Sequence, residues 1–158
     1  MKIFVGSDHA GFGLKDKLIP FLKDLGHEVI DKGAFEYNEE DDFPDFIIPV
    51  AREVSMHPNE VKGIILGGSG QGEAMVANKL NFVRAAVYYG KAQCIVKDES
   101  ESIIKLSREH NDANILSIGA RFITEEEMKE AVREWLQVPF NTAEKYKRRI
   151  TKMEHLHD

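Results

Sequence analysis

"GIILGGSGQGEAMVANKL", residues 63–80, runs from a short apolar stretch through four glycines in six positions into a segment with helical spacing. Its first five residues are apolar on both faces, as in a strand buried on both sides of a sheet. The glycines let the backbone turn tightly, and the predicted helix over 72–80 begins with unpaired N–H groups. Strand, turn and helix in that order make up the unit from which parallel sheets are built.

That unit recurs. "KIFVG" (2–6), "HEVID" (27–31), "VRAAVYY" (83–89) and "NILSIG" (114–119) are further predicted strands. Phe12, Leu14, Leu18, Phe21, Leu22 and Leu25 recur at helical spacing with Gly26 as C-cap, and similar patterns cover 45–57 and 101–109. "ITEEEMKEAVREWLQ" (123–137) is a helix with Thr124 at its N-cap, interrupted by "VPF". A last helix, about 142–154, carries Lys145, Lys147, Arg148, Arg149 and Lys152. Strands alternating with helices predict an α/β protein, a three-layer α/β/α Rossmann-like sandwich with a five-stranded parallel sheet and an extra C-terminal helix. There is no internal repeat or low-complexity linker, so residues 1–158 are expected to form one domain.

In such sheets ligands bind beyond the carboxyl ends of the strands, near the change in strand order. The rule selects "GSDHAG" (6–11), "GGSGQGE" (67–73) and the residues after Tyr88. The net charge of −6 argues against nucleic acid as a general partner and requires a local cationic cluster for any bound anion. Cys94 is the single cysteine, which suits a reducing cytoplasm. No apolar run approaches the ~18 residues that span a membrane, and the N-terminus lacks a secretory core. A cytoplasmic, unprocessed protein is expected.

Glu73 falls in the first turn of the helix after Gly72. It is either a dipole-friendly glutamate sharing a capping arrangement with Gly70, or a general base beside N–H groups that hold an enediolate. The loop has neither the dinucleotide fingerprint nor a phosphate-binding lysine motif, which disfavours cofactors bound by those routes. Asp8 and His9 end the first strand, where they either serve a site or cap a helix and coat the surface. In "REHNDAN" (108–114), His110 and Asn111 read as a turn or as a proton-transfer group. Lys145 and Arg149, four apart on one helix face, are a solvated stripe or a phosphate clamp. Nothing has metal-ligand spacing, and His155 and His157 read as solvated tail.

"GSDHAGF", "DFPDF" (42–46), "GGSGQGE", "ANKL" (77–80), "REHNDANIL", "GAR" (119–121) and the basic final helix occur in one order along nearly the whole chain. This pattern resembles the ribose-5-phosphate isomerase B family, which includes the galactose-6-phosphate isomerase subunits. The resemblance implies a Rossmann-like homodimer, pairing further into a tetramer in one alternative. Its active sites are shared between subunits and need neither metal nor cofactor. It implies that Glu73 abstracts the C2 proton of a sugar phosphate. Ser69 and the N–H groups of 68–72, among them Gly68, Gly70 and Gly72, would hold the enediolate. Asp8 and His110 would open the ring, with Asn111 contacting hydroxyls or the enediolate. His9, Arg121, Lys145 and Arg149 would bind phosphate, the last two in the partner's site.

Three departures stand out against that family. Many members carry a cysteine base where this chain has Gly67, which points to the glutamate branch, and Cys94 lies elsewhere. Lys145-Tyr146 replaces the usual Arg-His, and the region of "AQCIVKDESES" (92–102) is longer than is typical. The implied reaction is ribose 5-phosphate to ribulose 5-phosphate. The alternatives are an allose- or galactose-type 6-phosphate as substrate, or a sugar-phosphate-binding module without catalysis.

Overall fold

A computed structural model describes residues 1–92, 95 and 102–155; Cys94, most of the longer 90–103 segment and His157 lie outside them. The strands are β1 (Lys2–Ser7), β2 (Glu28–Asp31), β3 (Val61–Gly67), β4 (Ala85–Tyr88) and β5 (Ile115–Gly119). Between and after them come α1 (His9–Asp24), α2 (Phe43–Met56), α3 (Gln71–Ala77), α4 (Ile103–Glu109), α5 (Glu125–Gln137) and α6 (Glu144–Glu154). Every strand pair is parallel, in the order β2-β1-β3-β5-β4.

The expected three layers are present because each helix buries one apolar stripe on the sheet. Leu18 and Leu22 of α1, Ile104 of α4, and Met128, Val132 and Trp135 of α5 cover one face. Ile47, Val50 and Val54 of α2 with Ala77 of α3 cover the other. Strand β5 is buried throughout and β3 nearly so, while the edge strands β2 and β4 are mostly half-buried. No helix among the described residues is long and apolar enough to cross a membrane.

Local chemistry sets the boundaries. Asp8 caps α1 by accepting from the N–H groups of Ala10 (3.0 Å) and Gly11 (3.1 Å), so the helix starts at His9. At the other end Leu25 is the C-cap, and Gly26 follows it at φ +83°. The N–H groups of Gly26 and His27 then reach back to the carbonyls of Lys23 and Leu22. Thr124 forms a capping box with Glu127.

Three elements are shorter than their periodicity predicts, and an asparagine stands beside each. Asn78 ends α3 and bonds both the N–H and the carbonyl of Ala85. Asn114 accepts the Arg84 N–H at 2.8 Å, which holds that residue outside β4. Asn141 accepts from Ala143 N–H at 3.1 Å, a turn that delays α6 to residue 144.

Helix α6 lies across the amino ends of β4 and β5. Arg84, just before β4, bonds Glu154 of α6 (2.8 Å) and Asp112 before β5 (2.9 Å). Tyr146 and Ile150 are the buried residues of α6.

Candidate active site

Strand order reverses between β1 and β3, whose following loops lead away in different directions and leave a crevice above their carboxyl ends. A cavity of about 360 Å³ fills it, lined by Asp8, His9, Phe43, Gly68, Ser69, Gly72, Glu73, Arg121 and Phe122, with Ala10. Seven residues singled out in the sequence therefore meet in one place: Asp8, His9, Gly68, Ser69, Gly72, Glu73 and Arg121.

Glu73 is only 5% exposed, although it faces this cavity. Burial raises its pKa, and the neighbouring Asp8 carboxylate adds to the rise. The backbone N–H groups of Glu73 itself and of Gly70 pull the other way. The two readings of this residue thus describe one side chain: a first-turn glutamate that leans on its N-cap and presents a carboxylate to a cavity. A Cβ on Gly67 would stand 2.8 Å from Glu73 Cγ and closer still to the carboxyl, so the glutamate occupies the space of the missing side chain.

Gly70 differs from expectation, since it does not line the cavity. Its φ of +76° and the approach of Gly119 N, 3.0 Å from where a Cβ would be, explain the glycine. Its carbonyl accepts from Ser117 Oγ of β5 at 2.5 Å, so Gly70 seats the loop on the sheet. Ser69 Oγ accepts from Gln71 N–H at 3.4 Å within the same loop. Two more bonds join this loop to the one after β5: Ala120 N–H to the Gly67 carbonyl (2.8 Å) and Arg121 N–H to the Gly68 carbonyl (3.1 Å). The Arg121 guanidinium lies against Gly68, where a Cβ would meet its Cζ at 3.3 Å.

His9 is held by a residue that the sequence reading missed. Asp41 Oδ1 lies 2.6 Å from His9 Nδ1 and also accepts the His9 backbone N–H at 3.1 Å. That hydrogen bond is the main cause of the raised His9 pKa, with Asp8 contributing, against burial and Arg121. With Nδ1 engaged, Nε2 remains for a ligand. Asp41 sits in the acidic run Glu39–Asp42, where nothing local distinguishes it from its solvated neighbours. Asp8, His9 and Asp41 also bring one potential metal-ligand atom each within 4.8 Å of one another, a grouping invisible in the spacing because Asp41 lies 32 positions from His9.

The remaining four residues gather elsewhere. His110 is the C-cap of α4, Asn111 follows it in the exposed turn before β5, and Lys145 and Arg149 are exposed on α6. Tyr146 sits at the centre of three of them. The His110 ring stacks on it at 4.4 Å and 14°, with Lys145 Nζ 4.7 Å and Arg149 Cζ 5.7 Å from the same ring. Strand β5, five residues or roughly 16 Å long, separates this cluster from the cavity.

The profile of the Ribose/Galactose Isomerase family matches residues 3–153. The chain belongs to that family. A relative in Mycolicibacterium paratuberculosis, named ribose-5-phosphate isomerase B, is 39% identical over 150 residues, covering 95% of this chain and 87% of its own. Another of that name in Escherichia coli is 39% identical over 136 residues, covering 85% and 83%. Among solved family structures, ribose-5-phosphate isomerase B from Mycoplasma genitalium with bound ribulose-5-phosphate superposes with a TM-score of 0.88 at 32% identity, covering 98% of this chain and 94% of its own. The Clostridium thermocellum structure gives 0.86 at 37% identity, covering 99% and 97%.

Proposed function

We propose that this family member interconverts ribose 5-phosphate and ribulose 5-phosphate through a cis-enediolate. The observation that carries the reading is a buried carboxyl with a raised pKa facing a cavity also lined by the glycine-rich loop and by His9 and Arg121. A base whose pKa lies nearer the working pH combines availability with proton affinity. Glu73 takes the C2 proton of the open-chain aldose, the electrons pass through the new C1=C2 bond onto O1, a proton moves from O2 to O1, and the proton on Glu73 returns at C1 as the C2=O2 carbonyl forms. The loop N–H groups and Ser69 meet the oxygen charge as it develops, at low reorganisation cost. His9 and Arg121 bind phosphate, while Asp8 and His110 open the sugar ring.

The reading requires two copies of the chain. His110, Asn111, Lys145 and Arg149 lie at the opposite end of the sheet from Glu73, so a two-fold homodimer is proposed in which the α6 face of one copy covers the cavity of the other. Pairing of dimers into a tetramer is compatible with it. A cytoplasmic setting suits a charged sugar phosphate, which does not cross membranes unaided. The relative from Mycoplasma genitalium, solved with ribulose-5-phosphate, supports the substrate assignment.

The test is Glu73→Gln. Turnover should fall by roughly 10²–10⁴ with the fold retained, and near-normal turnover overturns the assignment. A binding module without catalysis would instead show saturable sugar-phosphate binding and no exchange of the C2 proton with solvent. Lys145-Tyr146 favours one second reading, a six-carbon 6-phosphate substrate, because a lysine cannot reproduce the two-pronged grip of an arginine on phosphate. Comparing kcat/KM across five- and six-carbon aldose phosphates separates the two.

A further inference from the structure

The two histidines of the proposed site are held in different ways. His9 is fixed by a hydrogen bond from Nδ1 to Asp41, which commits one ring nitrogen. His110 has no hydrogen bond at either ring nitrogen among the described residues; its ring is placed by the stack on Tyr146, 4.4 Å away and 14° from parallel. Tyr146 is itself fixed, being 6% exposed and one of two buried anchors of α6. Its hydroxyl makes no hydrogen bond among the described residues.

We infer that Tyr146 is a positioning residue for ring opening, and that its aromatic face, rather than its hydroxyl, orients His110. The inference rests on the isomerase reading above. A stack fixes the plane of an imidazole while leaving both nitrogens free, which suits a group that must take one proton and deliver another. Ring opening needs that traffic: the O1 proton leaves, the C1–O4 bond breaks, C1=O1 forms and O4 gains a proton. The same ring lies within cation–π reach of Lys145 and Arg149. A tyrosine here therefore joins the phosphate clamp and the ring-opening histidine into one unit.

Ribulose 5-phosphate allows the step to be isolated. With O5 esterified its C2 carbonyl cannot close a five-membered ring, so enediolate formation from the ketose bypasses ring opening. Tyr146→Leu keeps the apolar volume and removes the π face; Tyr146→Phe keeps the ring and removes the hydroxyl. For the full chain in D₂O, the readouts are turnover of ribose 5-phosphate and deuterium uptake at C1 of ribulose 5-phosphate, each at saturating substrate so that weakened phosphate binding enters neither. Y146L should slow ribose 5-phosphate turnover by roughly tenfold or more while exchange stays within about threefold, and Y146F should recover both. Tyr146→Met serves as a second ring-free variant if Y146L does not fold. Equal loss of turnover and exchange, loss of neither, or a tenfold loss in Y146F overturns the inference and leaves the isomerase reading standing. If Glu73→Gln leaves exchange intact, the isomerase reading itself falls.

Discussion

The Glu73 carboxyl fills the space in which a side chain on Gly67 would begin, with Glu73 Cγ 2.8 Å from the position of that Cβ. The two positions are therefore coupled: while residue 73 is glutamate, residue 67 must be glycine. Gly67→Ala should push the carboxylate out of line and lower turnover by roughly 10²-fold, the size of loss that follows a misplacement of about 1 Å. In a Glu73→Ala background the added methyl no longer meets the glutamate that supplies its three nearest contacts, so the stability losses of the two changes should be strongly non-additive. A double-mutant cycle by urea denaturation checks this; additive losses would contradict it.

The raised pKa of Glu73 has opposite consequences for stability and activity. The folded chain keeps this proton to a higher pH than the unfolded chain, so this group's contribution declines as pH rises from the unfolded value through the folded one. Glu73→Gln should therefore be more stable than the parent above that window, and the gain should vanish below it. The acid limb of the parent's turnover profile should disappear in the same variant. Denaturation and kinetics over one pH series measure both.

Asp41 raises the pKa of His9, so the imidazolium survives to higher pH beside Asp8, with Arg121 opposing it. Stability from this pair is complete below the unfolded histidine value and is lost as pH rises through the raised one. Asp41→Asn should move that loss to lower pH. If His9 binds phosphate as a cation, KM should begin to climb earlier in the variant, with kcat less affected. A KM profile that does not move with the substitution would remove Asp41 from this role.

Helical and strand periods made the sandwich legible before any coordinates, because β3 and β5 are apolar on both faces and α1 and α5 carry clear stripes. The position of the site was legible for the same reason, since "GSDHAG" and "GGSGQGE" end strands flanking the reversal in strand order. Asp41 was not, because a pairing across 32 positions leaves no local mark in an acidic run. The resemblance implies a pocket role for Gly70, whereas its φ and its contact with β5 depend on tertiary placement. The clustering of His110, Lys145 and Arg149 on Tyr146 depends on how α6 crosses the sheet, which the helix's own periodicity does not encode.

A shared site can be tested by complementation. Glu73→Gln and Arg149→Ala remove groups from opposite ends of the sheet, so a mixed dimer carries one site with both defects and one with neither. Mixing the two inactive proteins after mild dissociation should restore about a quarter of parental activity, as random pairing of a two-fold dimer requires. Activity no greater than that of the separate variants would place all the working groups within one chain.

The bonds from Ala120 and Arg121 to the carbonyls of Gly67 and Gly68 continue the β3–β5 ladder past the end of β5. These two loop amides should accordingly exchange with solvent as slowly as those of the central sheet, although one of them belongs to an exposed arginine. That side of the cavity is a fixed jaw. On the opposite wall His9 meets the connection between β2 and α2, through Asp41 and the edge of the Tyr37 ring, with no ladder of backbone hydrogen bonds between the two among the described residues.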